Sequence, residues 1–215
     1  MPRPRVFLLS PANCAGARAR MVMSGRAMFP LAVRLRSPGG APMADVFSFL
    51  SGLYFRGKVA YARRFAAPPD PESPLAGSGV FVITPTAGLR AADTPVTIDA
   101  LRAFAAVDVD AANPAYRRPL ETSARALAAE IGDCDVILLG SIASPKYVDV
   151  LLGIFGDRLM FPAAFVGRGD MSRGGLLLRA VAGNEELAYV PVAGAVRRGQ
   201  RPPKLDPRTR PKPGR

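Results

Sequence analysis

Val136-Ile-Leu-Leu-Gly140-Ser-Ile-Ala-Ser144-Pro145-Lys-Tyr-Val148-Asp-Val-Leu151-Leu152-Gly-Ile-Phe155 is the stretch that decides the fold. Val136 to Gly140 is an unbroken apolar run, the pattern of a strand covered on both faces. Ser144 stands just ahead of Pro145, pairing an N-cap with a proline at the first helical position. Val148, Leu151, Leu152 and Phe155 then recur at i, i+3, i+4 and i+7. A buried strand that passes through a short polar turn into an amphipathic helix is the building unit of a parallel α/β sheet.

Working outward, four further β-branched runs read as strands: Val6 to Ser10, Val80 to Thr84, Leu159 to Val166 and Leu187 to Val192. Between them, a helix opened by Pro119 places Leu120, Ala124, Leu127, Ala128 and Ile131 on one face, and another starting near Thr97 buries Ile98, Leu101 and Ala105. Ala17 to Ala66 should hold two to four helices, interrupted at Pro30 and at Ser37-Pro38-Gly39-Gly40; Pro68 to Gly79 reads as a surface loop. The expectation is a three-layer α/β domain over residues 1–194, its mainly parallel central sheet of about five strands flanked by helices.

Charge divides the chain unevenly. Of the formal +12, residues 195–215 supply +7, with eight Lys/Arg against one Asp, which leaves +5 for the rest. This Pro/Arg-rich tail has few apolar side chains and is expected to be disordered. It either attracts phosphate backbones without reading sequence or simply solubilises the chain. The apolar run Val6 to Leu9 ends at Ser10-Pro11, too short for a secretory signal, and no segment approaches the roughly 20 residues that cross a bilayer. A cytoplasmic protein without a membrane is therefore expected. Cys14 should follow a strand and Cys134 precede one, at opposite edges of a parallel sheet, so no disulfide is expected.

The chain has no histidine. That excludes Ser-His-Asp and Cys-His catalysis and histidine-ligated metals, and two separated cysteines leave no zinc motif. Neither metal nor cofactor is expected.

In an open parallel sheet, ligands bind outside the carboxyl ends of the strands. That rule selects four segments. After the first strand come Ser10 and Asn13; after the second, Thr84, Thr86 and Gly88; after the third, Ser141 and Ser144; after the fourth, Gly167 to Gly175 with Arg168, Gly169, Asp170, Ser172 and Arg173. The last reads either as an anion cradle gripped by Arg168 and Arg173, or as a turn whose Asp170 or Ser172 caps a helix through Leu176 to Val181. It matches neither the Walker nor the dinucleotide fingerprint. Asp170 and Asp93 are the candidate acid/base carboxylates. Cys14 lacks a histidine to activate it. Leu53 to Phe65 interleaves aromatics with bases, as a nucleic-acid face or an ordinary amphipathic helix would; on a helix, Phe55, Val59 and Ala62 share one face.

Together, VFLLSPAN over residues 6–13, Leu53-Tyr54-Phe55-Arg56-Gly57-Lys58, Gly88-Leu89-Arg90-Ala91-Ala92-Asp93 and DVILLG over residues 135–140 resemble the YaaA-like α/β proteins. That group includes bacterial peroxide-stress proteins and small domains found beside deazaguanine DNA-modification enzymes. The resemblance implies a cytoplasmic α/β fold associated with DNA or nucleobase handling. Asn13 stands where a lysine is typical, and Ala87 where a tyrosine is.

Two functions fit these features. One is binding of a nucleotide or nucleic acid at the strand ends. The other is an enzyme acting on a nucleoside or nucleotide, at its N-glycosidic bond for instance, through carboxylate chemistry with Asp170 or Asp93.

Overall fold

The computed structural model describes residues 3–143, 145–197, 199–200, 202–203 and 205. Its centre is a six-stranded sheet in the order β4-β3-β1-β6-β7-β8. β1 (Arg5–Leu9), β3 (Val80–Thr84), β6 (Asp135–Leu139) and β7 (Leu159–Pro162) run parallel; β4 (Gly88–Ala91) and β8 (Tyr189–Pro191) are antiparallel edges. Every residue of β3 is buried, as are four of the five in β1 and in β6, because helices cover both faces.

The chain leaves β1 toward β3 through α1 (Ala17–Met23), α2 (Pro30–Arg36), α3 (Met43–Ser51) and α4 (Leu53–Phe65). It then returns past β1 to β6 through α5 (Ile98–Ala105) and α6 (Pro114–Ile131), and continues to β7 through α7 (Pro145–Phe155). Right-handed crossovers running in opposite directions put their helices on opposite faces. Accordingly α6 packs with α7, while α4 packs with α8 (Asp170–Gly183) on the other side. β2 (Ala41–Pro42) and β5 (Pro95–Val96) form a small separate ladder.

This doubly wound arrangement has one topological consequence for function. The connection after β1 departs to one side and that after β6 to the other, which opens a crevice at their C-terminal ends.

Several expectations are corrected. The central sheet has a sixth strand, β4, in a segment read as loop: Thr84 Oγ1 donates to the Gly88 carbonyl at 2.8 Å and closes a tight hairpin. The fourth strand stops at Pro162 and turns into a 3₁₀ segment, Ala163–Phe165, rather than extending to Val166. The last strand spans only Tyr189–Pro191. α6 opens at Pro114 under an Asn113 cap, with Pro119 inside it; the missing proline N–H costs one hydrogen bond early in a long helix. Both cysteines are free and buried.

Ser144, proposed as the cap of α7, and the tail residues 206–215 lie outside the described residues. Nearer portions of the tail rest on the body: Arg197 pairs with Asp149 at 3.2 Å, and Arg168 donates to the Pro203 carbonyl. Among the described residues, no helix is long and apolar enough to cross a membrane.

Candidate functional site at the ends of the central strands

Ser10 is the first residue past β1, yet β6 still holds it: its N–H donates to the Leu139 carbonyl at 3.2 Å. Beside it, β6 ends in Gly140. A Cβ there would fall 2.8 Å from Ser10 Cβ and 2.9 Å from the Tyr147 hydroxyl, so glycine lets the two side chains close over this strand end. Tyr147, in the first turn of α7, points back and donates to the Ser141 carbonyl at 3.0 Å.

Lys58 reaches this point from α4. It is 1% exposed, and its Nζ lies 2.7 Å from the Ser10 carbonyl and 2.9 Å from Ser10 Oγ. The same nitrogen sits 4.6 Å and 4.5 Å from the ring centroids of Tyr54 and Phe55. Lys58 therefore occupies an otherwise apolar helix face with its hydrogen bonds directed at a single residue. The adjoining cavity, about 190 Å³, is lined by Ser10, Tyr54, Lys58, Ser141, Tyr147 and Asp170, together with Pro11 and Ser51.

α8 reaches the cavity because two helices approach without side chains between them. A Cβ on Gly57 would lie 2.8 Å from the Gly174 carbonyl oxygen, and one on Gly174 would lie 2.8 Å from Tyr54 Cα. This contact brings the first turn of α8, with Asp170 and Arg173, toward Lys58. Burial pushes the Lys58 ammonium down to about 7; the Asp170 carboxylate counters that and the Arg173 guanidinium reinforces it. Burial raises the Tyr54 and Tyr147 phenols.

Among the described residues, the buried Tyr54 hydroxyl has no acceptor for its proton. Arg173, its charged neighbour, has no lone pair to offer, so the phenolic proton has no acceptor there. The cavity thus combines a poised amine, a serine hydroxyl and an unmatched donor. Such a lining suits an oxygen-rich ligand or a carbonyl group.

Of the residues selected from the sequence, Ser10, Ser141 and Asp170 share this cavity. Asn13 lines a neighbouring depression of about 380 Å³, which has Pro11 as a wall in common and includes Pro85, Phe104, Asp108 and Lys146. Its side chain accepts the Ala15 N–H at 3.0 Å, an Asx turn. Cys14 lies in the wall of this depression, but burial pushes its thiol up to about 12, which leaves no thiolate at neutral pH.

The other residues go elsewhere. Thr84 is fully buried in the hairpin, where it also accepts the Ala87 N–H at 3.0 Å. Thr86 opens onto a groove of about 800 Å³ between β4 and α6, and Gly88 abuts Pro119 and Ser123 of α6. Asp93 is exposed and paired with Arg63, so it does not converge with Asp170.

The segment of the expected anion cradle is mostly helical rather than a loop. Gly169 is the N-cap of α8, and Arg173, Gly174 and Gly175 lie inside the helix rather than in a loop. Arg168 donates to the Ala164 carbonyl at 3.0 Å and to Ser172 Oγ at 3.1 Å, while Arg173 donates to the Phe165 carbonyl at 3.3 Å. Both guanidiniums donate to backbone carbonyls of the 3₁₀ segment.

Tyr147 belongs to the Ser141 to Tyr147 turn, whose hydroxyls and phenol the sequence offers for a sugar or phosphate, whereas Lys58 and Tyr54 are not selected as residues of this site from the sequence. A signal for Lys58 was present: it falls three residues after Phe55 and four before Ala62, within the apolar stripe of α4. A lysine in such a stripe either reaches out along its stem or is held inside by a partner.

Fold and site together define a doubly wound α/β protein with a small, donor-rich crevice at its topological switch point. Comparison of the chain with protein-family models, with curated proteins and with solved structures finds no match.

Proposed function

We propose that this protein binds a nucleotide, or a ligand of that size and polarity, in the crevice between the ends of β1 and β6. The observation that carries the reading is Lys58, buried against Ser10 at the one place where the chain's crossovers diverge. The phosphate or another oxygen-rich group takes the 190 Å³ cavity, and the base takes the adjoining 380 Å³ depression, with the Phe104 face and the Asn13 amide beside it. The resemblance to YaaA-like proteins favours the same ligand class, met in the cytoplasm. Carboxylate chemistry at a glycosidic bond has less support, because Asp170 enters the cavity without Asp93.

Thermal denaturation of the full chain against nucleobases, nucleosides, nucleotides and short oligonucleotides tests this. A selective ligand at about 100 times its dissociation constant adds roughly 2.7 kcal/mol. The expected result is a selective rise in Tm that is lost in Lys58→Met. No rise with any ligand, or a rise that Lys58→Met leaves unchanged, overturns the reading.

A further inference from the structure

We infer that Ser10 is a nucleophile and Lys58 its general base, arranged to hydrolyse small carboxylic esters or amides. The inference uses the cavity described above but not the identity of a nucleotide ligand. Ser10 Oγ and Lys58 Nζ are 2.9 Å apart, within the reach that proton transfer requires. The amine cannot swing away: the Ser10 carbonyl holds it at 2.7 Å, and the rings of Tyr54 and Phe55 enclose it. On the other side of Ser10, the Tyr147 hydroxyl shares the open face of Gly140, fixing where the serine side chain can lie. The chain has no histidine, and the base set within hydrogen-bond reach of this serine is the Lys58 amine.

The proton inventory gives the two working states. A charged Lys58 has no lone pair and can only donate to Ser10, through its carbonyl and its hydroxyl. A neutral Lys58 keeps its donation to the carbonyl and turns its lone pair to the hydroxyl proton, which activates the oxygen.

In the neutral state, Ser10 Oγ adds to the substrate carbonyl carbon while its proton passes to Lys58 Nζ. The carbonyl π pair moves onto oxygen, and the otherwise unmatched Tyr54 hydroxyl donates to that oxyanion. Collapse breaks the bond to the leaving alcohol or amine, which takes the proton from Lys58, and an acyl ester remains on Ser10. Water then adds to this ester with Lys58 again removing a proton. Collapse releases the carboxylic acid and returns a proton to Ser10, so the sum is ester or amide plus water to acid plus alcohol or amine. A cavity of about 190 Å³ limits the acyl group to a few carbons and directs the leaving group outward. Tyr54, Lys58 and Ser10 are the catalytic residues, and Tyr147 is a positioning residue.

The test is acylation of the full chain by p-nitrophenyl acetate, followed by release of p-nitrophenolate, intact mass and peptide mapping. The expected result is one acetyl group on Ser10, absent in Ser10→Ala and slowed about 100-fold or more in Lys58→Met. Thermal midpoints of both variants establish that they are folded. The acylation rate should rise with pH to a plateau with a midpoint near 7, the value to which burial lowers Lys58. The groups facing Lys58 are Asp170 and Arg173 of α8, Tyr54 of its own helix and Tyr147 of α7. Asp170→Asn should therefore move the midpoint down. Absence of both an acetyl on Ser10 and p-nitrophenolate release above that of Ser10→Ala, or a rate that ignores Lys58→Met, overturns the inference. Stabilisation by nucleotides without acylation leaves the binding reading standing alone; acylation without any nucleotide effect does the reverse.

Discussion

Gly57 of α4 and Gly174 of α8 meet backbone to backbone, leaving no room for a Cβ on either. This contact sets how close Asp170 and Arg173 come to Lys58, so it links helix packing to the electrostatics of the crevice. Gly57→Ala should destabilise by about 1 to 3 kcal/mol through overpacking, despite the better helix propensity of alanine. The same change at Gly153, whose would-be Cβ has nothing among the described residues within 4 Å, should instead stabilise by about 0.5 to 1 kcal/mol. Paired thermal denaturation of the two variants checks the opposite signs.

Lys58 makes stability depend on pH. Its ammonium is lowered from an ordinary 10.5 to about 7 in the folded protein, so between these values the unfolded chain binds the extra proton. Stability therefore rises with pH across that window and is lost as pH falls toward 7. The full span corresponds to on the order of 5 kcal/mol. The buried phenols of Tyr54, Tyr116 and Tyr189, all raised by burial, act oppositely above about pH 10. The slope is best read between pH 7 and 9 by denaturant titration. Lys58→Met should flatten it and raise Tm at neutral pH.

At the opposite end of the sheet, Tyr61 accepts the Leu187 N–H at 2.7 Å and meets the Tyr189 hydroxyl at 2.7 Å. Tyr189 in turn donates to Glu186 at 2.8 Å, and Glu186 pairs with Arg5 at 2.6 Å. The relay ties edge strand β8 to α4 and to the start of β1. Tyr61→Phe leaves the Leu187 N–H without its acceptor and should cost about 1 to 3 kcal/mol. Hydrogen exchange should show the loss first in residues 187–191.

An anionic ligand in the cavity favours the charged form of Lys58. Its affinity should then be greatest below pH 7 and fall by up to about tenfold per pH unit above it, because binding takes up a proton. Calorimetric titration in buffers of different ionisation enthalpy measures that proton directly. An affinity flat from pH 6 to 9 with no proton uptake would remove Lys58 from ligand contact.

Much of this architecture was readable from local patterns. The buried runs at Val6, Val80 and Val136 carry no alternation, and Pro145 opens α7 where a proline can. The misses have particular causes. Gly88 to Ala91 looks like a turn because its strand character comes from pairing with β3 and from the Leu89 N–H bond to Ser123 Oγ, both long-range. Gly174 and Gly175 look like helix breakers, yet Gly174 is a packing surface for α4. Lys58 counts simply as one of the bases in the Leu53 to Phe65 pattern, although its spacing places it on the buried side. The strand-end rule led to Ser10 and Ser141 without a structure, but the amine beside them arrives from a helix distant in sequence.

Lys58 is a poised amine held against Ser10 at the ends of the central strands. The chain has only four lysines, so the ¹³Cε resonances of lysine-labelled protein can be followed one by one, and Lys58 is assigned by its loss in Lys58→Met. That resonance should titrate with a midpoint near 7. A midpoint in the ordinary lysine range of about 10.4 would mean a solvated or fully compensated ammonium, and would contradict both the binding site and the dyad built on it.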